Sequence, residues 1–390
     1  MKRTALALTL ILALSASILA GMQTLEVAKA NFIPEVLPSG IRIESDGTVN
    51  GTSNIQRNGN IYTLANNLDN TIVVLCDNIV VDGAGYTIQG HGTSSGIFIQ
   101  ARTNITIKDM RISNFHYGIK LTYGFSEDGP RNITVLKNTI TNNSVGISLQ
   151  IFSCYNFISG NNITGNGIGI GIYYSYGNTL RNNCMKDNEY NLWVGSLLWN
   201  SGSAFINDID TSNTVNGKPV YYWINQQDKT IPSDAGYVGL VRCSNIIVQG
   251  LNLTHNGQGV LLIETNNSIV TGNYIAENNY GVVLFGTVAP CTNNTVSQNL
   301  ITQNTENINT YLENSVNTIG DNTADIQINT PNPSLSSTPS PSTSPTPDNN
   351  PQQMEQLATI LGIVIIAMVI TAIGVSLLVY FKKRDRGGTG

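Results

Sequence analysis

Four carboxylates and a run of aromatic residues crowd one stretch of this sequence. Asp208, Asp210, Asp228 and Asp234 lie between Gly195 and Arg242, around Tyr221, Tyr222 and Trp223. Carboxylates accept hydrogen bonds from hydroxyls, and aromatic faces stack on the apolar side of a sugar ring. In a strand Tyr221 and Trp223 share one side while Tyr222 takes the other. The pattern fits contact with a neutral glycan, and the candidate contacts are Tyr221, Trp223, Asp208, Asp210, Asp228 and Asp234. The competing assignment puts Val220 and Tyr222 in an interior, Tyr221 and Trp223 over a neighbouring loop, and the four Asp at solvated turns.

Other chemistry is less well supplied. No adjacent Asp-Asp pair precedes Gly90-His91-Gly92, so a pectinase-type reading of that tripeptide has no second carboxylate to work with. We assign no catalytic residue. His91, His116 and His255 fall at different phases of the chain, and the five cysteines (Cys76, Cys154, Cys184, Cys243, Cys291) are far apart with no C-x-x-C spacing. Neither set makes a metal site by spacing, so no metal ligand is assigned. The odd cysteine count leaves at least one thiol free or paired between chains.

Composition bounds what can position these residues. Charged residues make up 12% of the 390, against 37 Gly and 50 Asn. That is too few charges for a coiled coil or a long solvated helix. Twenty Lys and Arg and a formal net charge of -5 exclude a general binder of nucleic acid. A 41% hydrophobic content is ample for a core.

The two ends give the address. Lys2 and Arg3 precede the apolar run Ala5 to Leu19, which reads as a secretory signal over 1–30 with an A-x-A cleavage point at Ala28 and Ala30. Residues 357–381 are nearly all apolar and long enough for a helix to cross a bilayer. Lys382, Lys383, Arg384 and Arg386 follow, so the tail 382–390 belongs in the cytoplasm and the ectodomain outside, as a single-pass type I protein. Residues 331–353 are dominated by Pro, Ser and Thr and read as an extended stalk. The sequons at Asn50, Asn104, Asn132, Asn142, Asn162, Asn252, Asn266 and Asn293 are N-glycosylation candidates, all outside the span.

The middle is a repeat. Asn-x-Ile-x-x-Asn-x-x-Gly-Ile-x-Leu recurs from Asn138, Asn161, Asn183 and Asn273, decays at Asn299, and keeps its apolar and Gly positions from Met110 and Leu251. Adjacent copies are 22 to 28 residues apart. That is too short for helix pairs or propeller blades and fits one coil of a parallel β-helix. The phase predicts an interior ladder of Ile112, Ile140, Ile163, Met185, Leu253, Ile275 and Ile301. Asn at the corners tolerates left-handed backbone and can bond along the stack, and the same reading has Asn and Thr lining the outside in place of Lys and Glu. About eleven or twelve coils between Ile41 and Ile328 would make a rod of roughly 55 Å, with 31–64 as an N-terminal cap and 65–330 as the helix proper.

Three features resemble the right-handed β-helix of the NosD family, named for a periplasmic copper-binding protein and grouped with pectin-lyase-like carbohydrate-binding and sugar-hydrolase domains. They are the coil motif, the turn Asp82-Gly83-Ala84-Gly85-Tyr86-Thr87-Ile88, and the sequence from Asn213 to Trp223 with Ile231-Pro232-Ser233-Asp234-Ala235-Gly236 after it. With signal, stalk and span the chain is similar to archaeal cell-surface members. The resemblance implies an all-β right-handed solenoid plus one C-terminal transmembrane helix. It also implies copper, tied in that family to maturation of nitrous oxide reductase, although the anchored layout here departs from a soluble periplasmic one.

The combined expectation is a membrane-anchored surface protein that binds polysaccharide or surface glycan without cleaving it, or serves a structural surface role. The alternatives are a copper accessory role and, after it, a polysaccharide hydrolase or lyase.

Overall fold

A computed structural model describes residues 37–123, 129–195, 202–286, 289–311 and 316–324. The signal at 1–30, the stalk at 331–353, the span at 357–381 and the tail at 382–390 lie outside the described residues. Among the described residues no helix is long and apolar enough to cross a membrane.

The described chain is an all-β solenoid of about eleven turns. A regular coil has one six-residue strand and two shorter ones. Val145–Gln150, Phe157–Ser159 and Asn162–Thr164 make one such coil, and each strand pairs in parallel with its counterparts above and below. Alternation within each strand sends the apolar set inward. Ile112, Ile140, Ile163 and Met185 are in register and fully buried. Leu253, Ile275 and Ile301 do the same further on. The predicted interior ladder is therefore present. Gly opens the six-residue strand because the coils touch there: a Cβ on Gly146 would stand 2.6 Å from the Gly169 carbonyl oxygen.

The repeat asparagines differ from expectation. They do not line the outside. Asn138, Asn161, Asn183, Asn143, Asn166 and Asn188 are buried and form ladders inside the corners. Asn161 Nδ2 donates to Asn183 Oδ1 at 2.9 Å in the next coil and to the Val135 carbonyl at 2.9 Å in the previous one. Its Oδ1 accepts from both the Asn138 backbone N–H and Asn138 Nδ2. One side chain thus satisfies polar groups of three successive coils. The corner cannot close its own backbone bonds, and an unpaired buried amide costs about 1–3 kcal/mol, so Asn is turned inward and not outward as the repeat reading had it.

The coils do not form one straight rod. Strand Thr214–Val215 ends a first stack, and Asn216-Gly217, with φ of 48° and 81°, turns the chain back into Lys218–Ile224. A two-residue Asn-Gly loop with both residues at positive φ is the favoured tight hairpin. The antiparallel pairing makes one 11-stranded sheet out of a short face of the first stack and the long face of a second. The second stack's long face is consequently buried on both sides. Val238, Leu240, Val260 and Leu262 line its own core. Tyr222, Tyr237, Leu261, Val283 and Phe285 join the core of the first stack instead. Phe205 and Phe285 rings meet at 6.1 Å, and Tyr222 Oη donates to the Phe205 carbonyl at 2.6 Å.

Candidate functional site

The six sequence candidates fall into two groups. Tyr221 and Trp223 sit on the first rung of the second stack, in register with Val238 and Leu240. Their rings, 6.1 Å apart and nearly perpendicular, pack on that stack's core and remain half-exposed. Among the described residues no further coil of that face covers them on this side, because the hairpin starts the stack here. Asp234 Oδ1 accepts from Tyr221 Oη at 2.9 Å. Partial burial first, and then that carboxylate, raises the Tyr221 phenol above its ordinary value. Lys229 Nζ stands 5.7 Å from the centre of the Trp223 ring. Asp228, at φ 56°, accepts from Asn245 Nδ2 at 2.8 Å and is exposed.

Asp208 and Asp210 are elsewhere, on the outer surface of the first stack. Both engage Arg181: Asp208 Oδ2 pairs with its terminal nitrogen, and Asp210 Oδ2 lies 3.2 Å from its Nε. The other terminal nitrogen of Arg181 donates to the Leu180 and Asp208 carbonyls, at 2.7 and 2.9 Å. Val220 and Tyr222 point into the shared core, as one of the two sequence assignments required. Tyr221 and Trp223 pack on the second stack's own core, and Tyr221 also bonds Asp234 in the turn that follows.

Trp193, Tyr190 and Tyr280 are packing residues of the junction. Trp193 lies 5.7 Å from Tyr190 and 6.2 Å from Tyr280, ring to ring, and a Cβ on Gly257 would stand 2.6 Å from its ring.

The residues that could ligate copper lie apart. His255 Nε2 is 3.2 Å from Glu277 Oε2, and its buried Nδ1 has no hydrogen-bond partner. His116 lies against the Tyr117 ring at 4.3 Å, and His91 is exposed in a turn. Met110 and Met185 are interior. Cys76, Cys154, Cys243 and Cys291 are buried free thiols, and Cys184 is exposed. Among the described residues no three His, Cys, Asp or Glu side chains converge. The donor set of the described residues does not fit copper.

The family model described as periplasmic copper-binding protein (NosD) matches residues 39–231. Over this stretch the chain belongs to the NosD family. The match covers the first stack, the hairpin and the opening of the second stack. No curated protein matches the sequence. Among solved structures, the A-module of Azotobacter vinelandii mannuronan C-5 epimerase AlgE6 is 14% identical, covering 68% of this chain and 88% of that one, at a TM-score of 0.22. The AlgE4 A-module from the same organism is 12% identical, covering 67% and 89%, at 0.21. Similarity at that level carries nothing about what this NosD-type β-helix binds.

Sequence reasoning missed Arg181, which organises the first Asp pair, and Lys229, which faces Trp223. It also missed Tyr155. A signal was available for the last. Strand register aligns Asn78, Asn104, Asn132, Tyr155 and Gly177 in one column at the start of the second face. All have φ between 55° and 68°. Tyr stands where the neighbouring coils have Asn or Gly.

Proposed function

We propose that this NosD-type β-helix is a non-catalytic glycan-binding module held at the cell surface by the apolar segment 357–381. The observation that carries the reading is the Tyr221–Trp223 pair, half-exposed on the terminal rung of the second stack with Asp234 bonded to the Tyr221 hydroxyl. Such a pair offers ring surface to a sugar, and Asp228, Asp234 and Lys229 supply polar groups beside it. Sequons over the solenoid are consistent with an exported, glycosylated domain. Seven of the eight acceptor asparagines are exposed, and Asn266 is half-buried. The basic run after residue 381 supports a type I orientation.

The test uses the full chain in detergent on an array of neutral glycans. A binder retains a glycan and returns it unchanged. Release of reducing ends or unsaturated sugars would make the protein an enzyme and end the reading. Retention that survives Tyr221→Ala with Trp223→Ala would move the site elsewhere.

A further inference from the structure

We propose that a second saccharide-contacting surface lies on the first stack, centred on Tyr155 and taking a neutral glycan. The inference rests on the glycan reading of the ectodomain but not on the Tyr221–Trp223 pair.

Tyr155 is an anomaly of its column. In the second stack the corresponding positions are Asp228, Asn245, Asn267 and Asn293, again with φ between 54° and 56°. Asn, Asp and Gly tolerate this left-handed region, whereas a bulky side chain there is strained. Strain of this kind is kept where surrounding structure imposes it, and it concentrates at functional positions. The next coil is shaped to receive the ring. Gly177 follows Tyr155 in the column, and a Cβ on it would stand 2.6 Å from Tyr155 Cδ1 and Cε1. Tyr176 meets the same ring edge-on at 5.5 Å.

The seated ring is not used in a core. Tyr155 is 52% exposed and Phe157, two residues on, is 40% exposed. A seated aromatic that hides only half of its surface leaves ring area for a ligand.

A polar wall lies along the same face. Phe157 is in register with Thr179, and Thr179 with Asp208. Arg181, two residues past Thr179, holds Asp208 and Asp210. From the Tyr155 column to Arg181 is four residues, or roughly 13 Å along the strand direction. A short run of sugar units fits that length, with a ring on Tyr155 and Phe157 and hydroxyls at the Arg181–Asp208–Asp210 end. Two carboxylates against one guanidinium leave this end net negative, which favours an uncharged glycan over an acidic one.

The test is affinity electrophoresis of the full chain in detergent, in gels cast with a soluble β-glucan, a mannan or a galactan. Tyr155→Asn installs the column's usual residue and should fold with an unchanged or higher melting temperature. Its retardation should correspond to about tenfold weaker binding, and Phe157→Thr should weaken binding in the same gels. Full retardation of Tyr155→Asn alongside loss in the Tyr221→Ala, Trp223→Ala double variant overturns this surface and leaves the other. The reverse result supports this surface and removes the other. A lowered melting temperature for Tyr155→Asn makes the ring a packing residue and overturns the proposal, as does wild-type migration unretarded in all three gels.

Discussion

Asn161 and Asn183 stack across one coil, the Nδ2 of the first donating to the Oδ1 of the second at 2.9 Å. The same bond joins Asn166 to Asn188, Asn273 to Asn299 and Asn278 to Asn304. Because Oδ1 of Asn161 accepts from the coil below while its Nδ2 reaches both neighbours, its replacement disturbs three coils. Asn161→Leu takes the acceptor from the Asn138 N–H and a donor from the Val135 carbonyl. It should cost about 3 kcal/mol, read as a lowered urea midpoint with unchanged slope. Asn162→Ala, one residue on and exposed, should shift stability by no more than about 0.5 kcal/mol.

The apolar interior gives a sharper contrast. Ile163 is fully buried between Ile140 and Met185. Ile163→Asp places an unpaired carboxylate there and should cost about 5 kcal/mol, whereas Asn162→Asp should melt like wild type. Equal shifts of the two circular-dichroism melts would refute the inward assignment of Ile163.

The interior ladder was legible because the spacing of copies brings Ile112, Ile140 and Ile163 to the same phase, and a period-2 strand then fixes their side. The corner asparagines were legible in position, but the outward direction read for them is reversed in the structure. A polar residue at a turn is satisfied equally well by water outside or by backbone groups inside, and only the geometry of Asn161 between Val135 and Asn183 decides. The break between stacks had its signal in Asn216-Gly217. That the turn starts a second stack is not legible locally, because pairing Val215 with Lys218 is a local choice whose consequence, the burial of Leu261 and Phe285 against the first stack, is made by residues far along the chain. The two-way split of the Asp residues follows from the same reversal, which separates Asp208 and Asp210 from Asp228 and Asp234.

At the second-stack end, ring area and hydroxyl can be tested apart. Tyr221→Phe removes the exposed Oη–Asp234 bond and keeps the ring. It should leave the melting temperature unchanged and weaken glycan retention by less than about tenfold. Trp223→Ala removes a ring packed on the core, so it should cost about 2 kcal/mol of stability as well as retention. Trp223→Tyr keeps an aromatic face and should restore most of the retention. If Trp223→Tyr binds no better than Trp223→Ala, stacking on this ring is not what holds the glycan.

The thiols give a pH-dependent test of the whole packing scheme. Burial pushes Cys291 up to about 11, and burial likewise raises Cys154, Cys243 and Cys76. A thiol reacts with an alkylating agent as the thiolate, and desolvation disfavours that form. At pH 8 a thiol near 11 is ionised to about one part in a thousand, and burial shields it besides. Cys184 lies exposed on the outer side of Cys184–Lys186. Iodoacetamide at pH 8 should therefore modify Cys184 alone in the folded chain, and all five cysteines after denaturation. Peptide mapping reads both. The Cys184→Ser variant should take up no label while folded, and at pH 10 Cys291 should still label far more slowly than a free peptide thiol. Rapid labelling of Cys243 or Cys291 in the folded chain at pH 8 would show that the second stack opens at its core, contrary to the close packing of Val241, Cys243, Thr265 and Cys291.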